Sequence, residues 1–379
     1  MKRRVRRPGS YLLLLLLMLW ISGCDATGGQ METGLRPAPT AASVLLGPQP
    51  CPAPVQASSF WARFVHPTGV QKVEGVACGY LMGQPVLQAV VMVRSSGPDR
   101  LLDLHVFTNL AGSAPAEIFK LIGLQGGAAK ISNYNTLLTD QDGWQPFQNT
   151  QIRHTLAREF KWSDSAHTLV QVGFVGLYPD ITRYQAEDAQ QEVNASQGGR
   201  GWQLDAVSTA QSFAEFVLQW PEDAPATIVS GGGAHDAQAV VLVSHPALDQ
   251  ATIQVSLSRL ELNTNGGIWE VTDVATKGMT LTAPHSLQQL ASPVQVTGSA
   301  SLRTGEHIVL AVLNDERTVI GQTVPRLNSA GEKVTFKSSM SYASPLFRGD
   351  IQEGMLALYT LTANQQIVGC VMEKVLLQD

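Results

Sequence analysis

Short apolar runs rich in Val, Ile, Leu and Thr, separated by turn residues, recur from residue 86 to the C-terminus. This punctuation is the signature of strands, and it excludes a fold built on long helices. The first runs are 86–93 (VLQAVVMV), 101–107, 118–124, 168–175, 239–243, 252–257 and 268–274. Charged residues are only 15% of the chain, with 34 Gly and 20 Pro, which suits many strands and turns and disfavours coiled coils or charged disorder. Helical periodicity is scarce. Residues 205–220 (DAVSTAQSFAEFVLQW) place Ala206, Ala210, Phe213, Val217 and Trp220 on one stripe, with Asp205 as N-cap and Pro221 as the stop. Asp180 is placed to cap a second helix running to about Ala195 and ending at Gly198-Gly199.

A weak internal repeat lies within this part of the chain. Ala89-Val90-Val91 recurs as Ala239-Val240-Val241, and Ile118-Phe119-Lys120-Leu121 aligns with Ile268-Trp269-Glu270-Val271, both 150 positions apart. Ala62-Arg63-Phe64-Val65 resembles Ala214-Glu215-Phe216-Val217 at an offset of 152. The order predicts an α+β region over 60–287 made of two duplicated units, each a helix followed by three strands. Coincidence between short β-rich strings is the competing explanation.

From about 291 to 379 the chain reads as nearly all strand: 293–297, 307–313, 318–323, 333–341, 354–361 and 367–376, with hairpin turns at 314–317 and 363–366. Six short strands at this spacing predict a β-sandwich. Ser292-Pro293-Val294-Gln295-Val296-Thr297-Gly298-Ser299-Ala300, a strand ending near Asn314-Asp315, Phe336 within a strand, and Gly354-Met355-Leu356-Ala357-Leu358-Tyr359 together resemble the immunoglobulin-like domain associated with bacterial spore germination proteins. The resemblance covers about 90 of the 379 residues. It departs at Ala363-Asn364-Gln365-Gln366, where the family often has an acidic-Gly turn. It implies an immunoglobulin-like sandwich in an extracytoplasmic protein, a link to sporulation or germination through partner domains, and no catalytic residues.

The N-terminus predicts location. Residues 2–7 are basic and 11–21 (YLLLLLLMLWI) apolar, too short for a spanning helix at about 20 residues, so 1–23 reads as a signal peptide. Ile21-Ser22-Gly23-Cys24 resembles the bacterial lipobox, which implies cleavage before Cys24 and its lipidation. Residues 24–59 follow as a Pro-rich tether, which at about 3 Å per residue could hold the body up to about 100 Å from the membrane. Five of the 26 basic residues fall in positions 1–7 and no acid precedes Asp25. The chain beyond residue 23 therefore holds 21 basic against 31 acidic residues, a net charge of −10. An acidic body disfavours nucleic acid as a partner. The expected partners are the membrane through Cys24, and envelope proteins or the cell wall.

Three cysteines remain in an oxidising location. Cys51 and Cys78 are expected to pair and pin the end of the tether, and Cys370 to be a buried thiol in an apolar strand. No motif for a nucleophile elbow, phosphate loop or zinc helix is present, so no catalytic residue, cofactor or metal is expected. Gly231-Gly232-Gly233 reads as a turn, His235-Asp236 with His245 fits no common metal spacing, and Arg348-Gly349-Asp350 is explained by a turn. The candidate ligand-binding residues are Tyr178, Asp180, Arg183, Tyr184 and Trp202, which gather aromatics, a carboxylate and a guanidinium around a helix start. The other reading of the same segment, favoured on sequence, is a capped helix with Tyr184 and Trp202 packed in a core. Trp144 and Trp162 are equally ambiguous. Three functions follow: a non-enzymatic envelope binding or scaffold lipoprotein first, then an envelope enzyme such as a wall hydrolase with its site in 60–287, then a solute-binding lipoprotein.

Overall fold

Alternation of buried and exposed side chains decides how each strand is used. The computed structural model describes residues 46–378, apart from residue 113 and segments 148–149, 249–250, 329–332 and 344–348; of 143–147 and 150–154 it describes the backbone. The expected signal peptide, Cys24 and the tether up to residue 45 lie outside the described residues. The protein is mostly β, with several antiparallel sheets and few helices.

Two short helices, α1 (Ala53–Gln56) and α2 (Ser58–Val65), precede an antiparallel meander of β1 (Gln71–Gly79), β2 (Gln88–Ser95), β3 (Leu102–Thr108) and β4 (Ala116–Leu124). On one face Ala89, Val91, Val93 and Phe107 bury Trp61 of α2. On the other, Val90, Leu102, Leu104 and Val106 pack against a second meander, β5 (Ala128–Ile131), β6 (Leu137–Phe147), β7 (Thr150–Ser163) and β8 (Thr168–Val172), through Ile131, Leu137, Phe160 and Leu169. This second sheet was only partly legible. The expected strand 168–175 is β8, whereas β5 to β7 are rich in polar residues that hide their alternation.

Residues 46–59 belong to the folded body and do not extend the tether. Gln49 bridges to Cys78, Val55 is buried, and Cys51 and Cys78 are joined as a disulfide with Cα atoms 5.2 Å apart. The bridge closes a separation of 27 residues, so its reduction is expected to cost about 3–4 kcal/mol. Thermal unfolding with and without a thiol reductant measures this, with Cys51→Ala as the matched control.

The chain then forms α3 (Arg183–Asn194), a 3-10 turn (Arg200–Leu204) and α4 (Ala206–Leu218). Asp205 accepts the Ser208 N–H at 2.7 Å and is the N-cap of α4. α4 ends at Leu218, two residues short of the expected stop before Pro221, with Gln219 as a C-cap in the left-handed conformation. Asp180 is not the cap of α3. Thr182 is, with Gln185 completing a capping box. A third meander follows: β9 (Ala226–Gly231), β10 (Gln238–Ser244), β11 (Thr252–Arg259) and β12 (Trp269–Ala275). Ala239, Val241 and Val243 lie under Phe213 and Ala214 of α4, as Ala89, Val91 and Val93 lie under Trp61. Each helix therefore precedes four strands, where three were expected. The aligned string at 118–121 and 268–271 is also not the strand register. His105 pairs with Lys120 and Val255 with Val274, which places these last strands 154 positions apart.

The remaining strands are β13 (Thr280–Ala283), β14 (Gln288–Ala291), β15 (Val294–Ser301), β16 (His307–Leu313), β17 (Val319–Thr323), β18 (Lys333–Met340), β19 (Gln352–Leu361) and β20 (Ile367–Gln378). All six strands expected after residue 291 are present, as are the turns at 314–317 and 363–366. The boundary expected near 287–291 is not a break between sheets. β17-β16-β19-β20 continues through β12 into β11-β10-β9, with β14 parallel to the end of β20, as one nine-stranded sheet. β13, from before the boundary, pairs with β15 in the separate sheet β13-β15-β18. β16, β19 and β20 are covered on both sides. Ile308, Leu310, Leu356 and Val371 face the three-stranded sheet, while Ala311, Leu313, Ala357 and Cys370 face the core under α4. Continuous apolar runs are what strands buried on both faces require. Cys370 is a fully buried free thiol whose pKa is pushed far up by burial.

Candidate functional site

Helix α3 lies against β6, β7 and the 3-10 turn and presents Gln185, Asp188, Ala189 and Glu192 along one face, three of them polar. This face forms one wall of a cavity of about 370 Å³. Pro179, Asp180 and Arg200 form the second wall. The third is the hairpin turn between β16 and β17, which contributes Asp315, Glu316 and Arg317. That turn is rigid. Asn314 Oδ1 accepts the backbone N–H groups of Glu316 and Thr318, at 3.1 and 2.8 Å, and Arg317 takes the left-handed conformation (φ 61°).

Most ionisable groups around the cavity hold one another. Arg200 donates to Asp180 Oδ1 at 3.3 Å and reaches Glu192 at 2.9 Å. Gln203 donates to Asp180 Oδ2 at 3.2 Å. Arg317 donates to the Pro179 carbonyl at 2.6 Å and lies over the Tyr178 ring. Asp188 accepts from Lys130 at 2.5 Å. Beneath them, Lys374 and Glu353 form a buried ion pair at 2.8 Å, and the ammonium also donates to the carbonyls of Gly176 and Ile181. Burial pulls the Lys374 pKa down and pushes that of Glu353 up, against their mutual attraction. Glu270 is buried beside Asp180, and desolvation followed by the Asp180 charge holds its carboxyl well above the usual range.

Asp315 differs from these. It is 7% exposed, it lines the cavity, and among the described residues its carboxylate meets no hydrogen-bond donor except its own backbone N–H. Burial, and secondarily Glu316, pushes its pKa to about 7.

The five candidate residues do not form one site. Asp180 alone lines the cavity. Tyr178 is core: its hydroxyl meets Ser212 Oγ at 2.6 Å, and its ring packs edge-on to Phe213. Trp202 stands beside Tyr178 with centroids 6.3 Å apart and packs against the same core. Tyr184 carries Lys130 over its ring at 4.2 Å, and burial raises its pKa to about 12. Arg183 points to a different cluster, where it binds Glu159 at 2.7 Å and Glu261 at 2.8 Å and stacks on Tyr134 and Phe174. The cavity residues that sequence reasoning missed are Gln185, Asp188, Glu192, Arg200 and the 315–317 turn. The helical spacing of the first three was visible but reads as a solvated face, and the acidic turn reads as solvated too.

The Arg183 cluster gives a pH signature. Burial, only partly offset by Arg183, raises Glu261 to about 7, and Glu187 beside it is also raised by burial. Folded Glu261 therefore binds its proton more tightly than the unfolded chain does. Its contribution to stability is full below about pH 4.5 and is lost as the pH rises to about 7. Urea unfolding across that range should show a midpoint that falls as pH rises, with a flatter slope in Glu261→Gln.

Other sequence candidates are absorbed locally. Gly231 to Gly233 turn the chain from β9 towards β10. His245 Nδ1 accepts the backbone N–H groups of Ala247 and Leu248, and Asp236 accepts that of Gly233. Asp350 of the Arg-Gly-Asp triplet is bound by the buried Arg158, and Arg348 lies outside the described residues. Trp162 is half-buried and donates to Asp164 at 2.7 Å; the Trp144 side chain lies outside the described residues. Among the described residues no group of three or more His, Cys, Asp or Glu is placed to hold a metal ion, and no helix is long and apolar enough to cross a membrane. A wider groove of about 1490 Å³ crosses the face of β10 and β11 opposite α4, past Leu242, Thr252 and Gln254 to Met279 and Arg303. It holds no buried ionisable group comparable with Asp315.

No protein-family model matches the chain, and no curated protein matches it. The fold and the cavity define it as a β-rich protein with an acidic polar site.

Proposed function

We propose that the chain is a lipid-anchored protein of the bacterial cell envelope, held to the membrane through Cys24, whose body binds a ligand without catalysis in the α3 cavity. Asp315 carries the binding reading. A largely buried carboxylate whose one donor is its own backbone N–H is costly, and a bound partner would supply further donors. The neighbouring ionisable groups are committed to one another, which suits a preorganised binding wall. The leader, the lipobox at Ile21-Ser22-Gly23-Cys24 and the Pro-rich segment support the extracytoplasmic, anchored location.

The two-layer packing of β15 to β20 supports reading the C-terminal part as an immunoglobulin-like sandwich. The helix and four-strand meander found twice supports duplication, with Ala89, Val91 and Val93 and Ala239, Val241 and Val243 buried alike 150 positions apart. The resemblance to the domain of germination proteins extends the proposal to partners among envelope proteins or the cell wall, in sporulation or germination.

One observation favours a second reading, an envelope hydrolase. Asp180 and Glu270 form a carboxyl pair beside the cavity, the pairing that acid–base hydrolysis uses. Against it, Glu270 is 2% exposed, and both Asp180 oxygens are held by Arg200 and Gln203.

Metabolic labelling with palmitate in a bacterial host tests the anchor. Label is expected in the full chain and absent from Cys24→Ala, and equal labelling of both would overturn it. Release of wall fragments by the purified body, lost in Asp180→Asn, would replace the binding reading with the hydrolase.

A further inference from the structure

We propose that the α3 cavity takes a small organic molecule bearing a primary ammonium group, with the Asp315 carboxylate as its counter-ion. The inference rests on the reading of this cavity as a binding site and names the class of ligand. Five carboxylic residues line the cavity against two arginines. Arg200 is spent on Asp180 and Glu192, while Arg317 gives one donor to the Pro179 carbonyl and lies over the Tyr178 face. An incoming anion would meet one exposed guanidinium, that of Arg317, against five carboxylic residues.

The nearest buried cation, Lys374, attracts Asp315 without hydrogen-bonding to it. The three N–H groups of Lys374 are matched by Glu353, the Gly176 carbonyl and the Ile181 carbonyl. The charge balance of the lining is therefore negative, and its buried carboxylate without an ion-pair partner lies at the turn held in place by Asn314. An ammonium group supplies three donors on one atom, enough for Asp315 and neighbouring oxygens. A divalent metal fits less well, because Asp180 and Glu192 already receive the Arg200 guanidinium and no three-ligand group is present among the described residues. A volume of about 370 Å³ suits a small molecule and excludes a folded partner.

Calorimetric titration of the mature chain with 1,4-diaminobutane, and with 1,4-butanediol as the neutral isostere, tests this. The diamine is expected to bind and the diol not. Asp315→Asn should weaken the diamine at least tenfold, and Asp315→Glu should keep part of the affinity. Thermal melting of both variants checks that they fold. Binding should strengthen from pH 6 to pH 8 as Asp315 ionises, since the amine stays protonated throughout. The groups around Asp315 are Glu316, Glu353 and Lys374, with Asp180, Asp188, Glu192, Arg200 and Arg317 lining the cavity. Equal binding of diol and diamine, or unchanged affinity in Asp315→Asn, overturns the proposal. Binding of citrate instead, lost in Arg200→Ala, overturns the ammonium class and leaves the cavity as a site. If diamine, diol and citrate all fail to bind, the ammonium proposal falls together with the reading of the cavity as a binding site.

Discussion

Lys374→Met is expected to destabilise the body by about 3–5 kcal/mol, because it leaves the Glu353 carboxylate buried without its cation. Both side chains are 1% exposed, so water cannot replace the lost partner. The change also strips a donor from the carbonyls of Gly176 and Ile181, which tie the segment after β8 to β20. The double replacement Lys374→Met with Glu353→Met should recover much of the loss, since a buried pair often exchanges for apolar groups at little cost. Recovery should be incomplete, because the Phe174 N–H loses its acceptor on Glu353. Urea midpoints of the two single variants and the double variant give the coupling energy directly. A cost below about 1 kcal/mol for Lys374→Met would mean that water reaches the pair.

Trp61→Ala is the second large effect, at about 3–5 kcal/mol. Trp61 is fully buried between α2 and the sheet β1–β4, with ring centroids 5.0 Å from Phe60 and 4.9 Å from Phe107. Its indole N–H donates to the Val55 carbonyl at 2.6 Å, so truncation opens a cavity and also orphans a buried acceptor. The same segment is pinned by the Cys51–Cys78 bridge. Both features order residues 51–65, so Trp61→Ala and Cys51→Ala should combine to less than the sum of their separate effects. Thermal melts of the two variants and their combination check this. Strict additivity would show that the bridge and the indole stabilise independent parts of the first sheet.

Legibility along the chain followed how much of each signal was local. Strands with apolar alternation, such as 239–243, were readable because side-chain direction in a strand depends on the next residue alone. The cap of α4 was readable because Asp205 and Ser208 are three residues apart. The cap of α3 was misplaced by two residues: Thr182 had the local geometry, while Asp180 was drawn off by Arg200 and Gln203 from outside the helix. β6 and β7 escaped because their polar faces meet α3 and its charges, which no local pattern announces.

The candidate site divides in the same way. The segment 177–184 was found from its aromatics and charges, but the fold sends Tyr178 to the core, Arg183 to Glu159 and Glu261, and only Asp180 to the cavity. Sequence alone determined that the chain is built of strands, where many of its turns fall, and that Cys370 is apolar in its surroundings. Tertiary structure decided that one sheet runs from β9 to β17 across the expected boundary, and that Asp315 of an acidic hairpin turn is buried where it faces α3 across the cavity. The reason is range. Alternation, capping and turn formation are settled within a few residues. The hydration of Asp315 depends on a helix more than a hundred positions away in the chain.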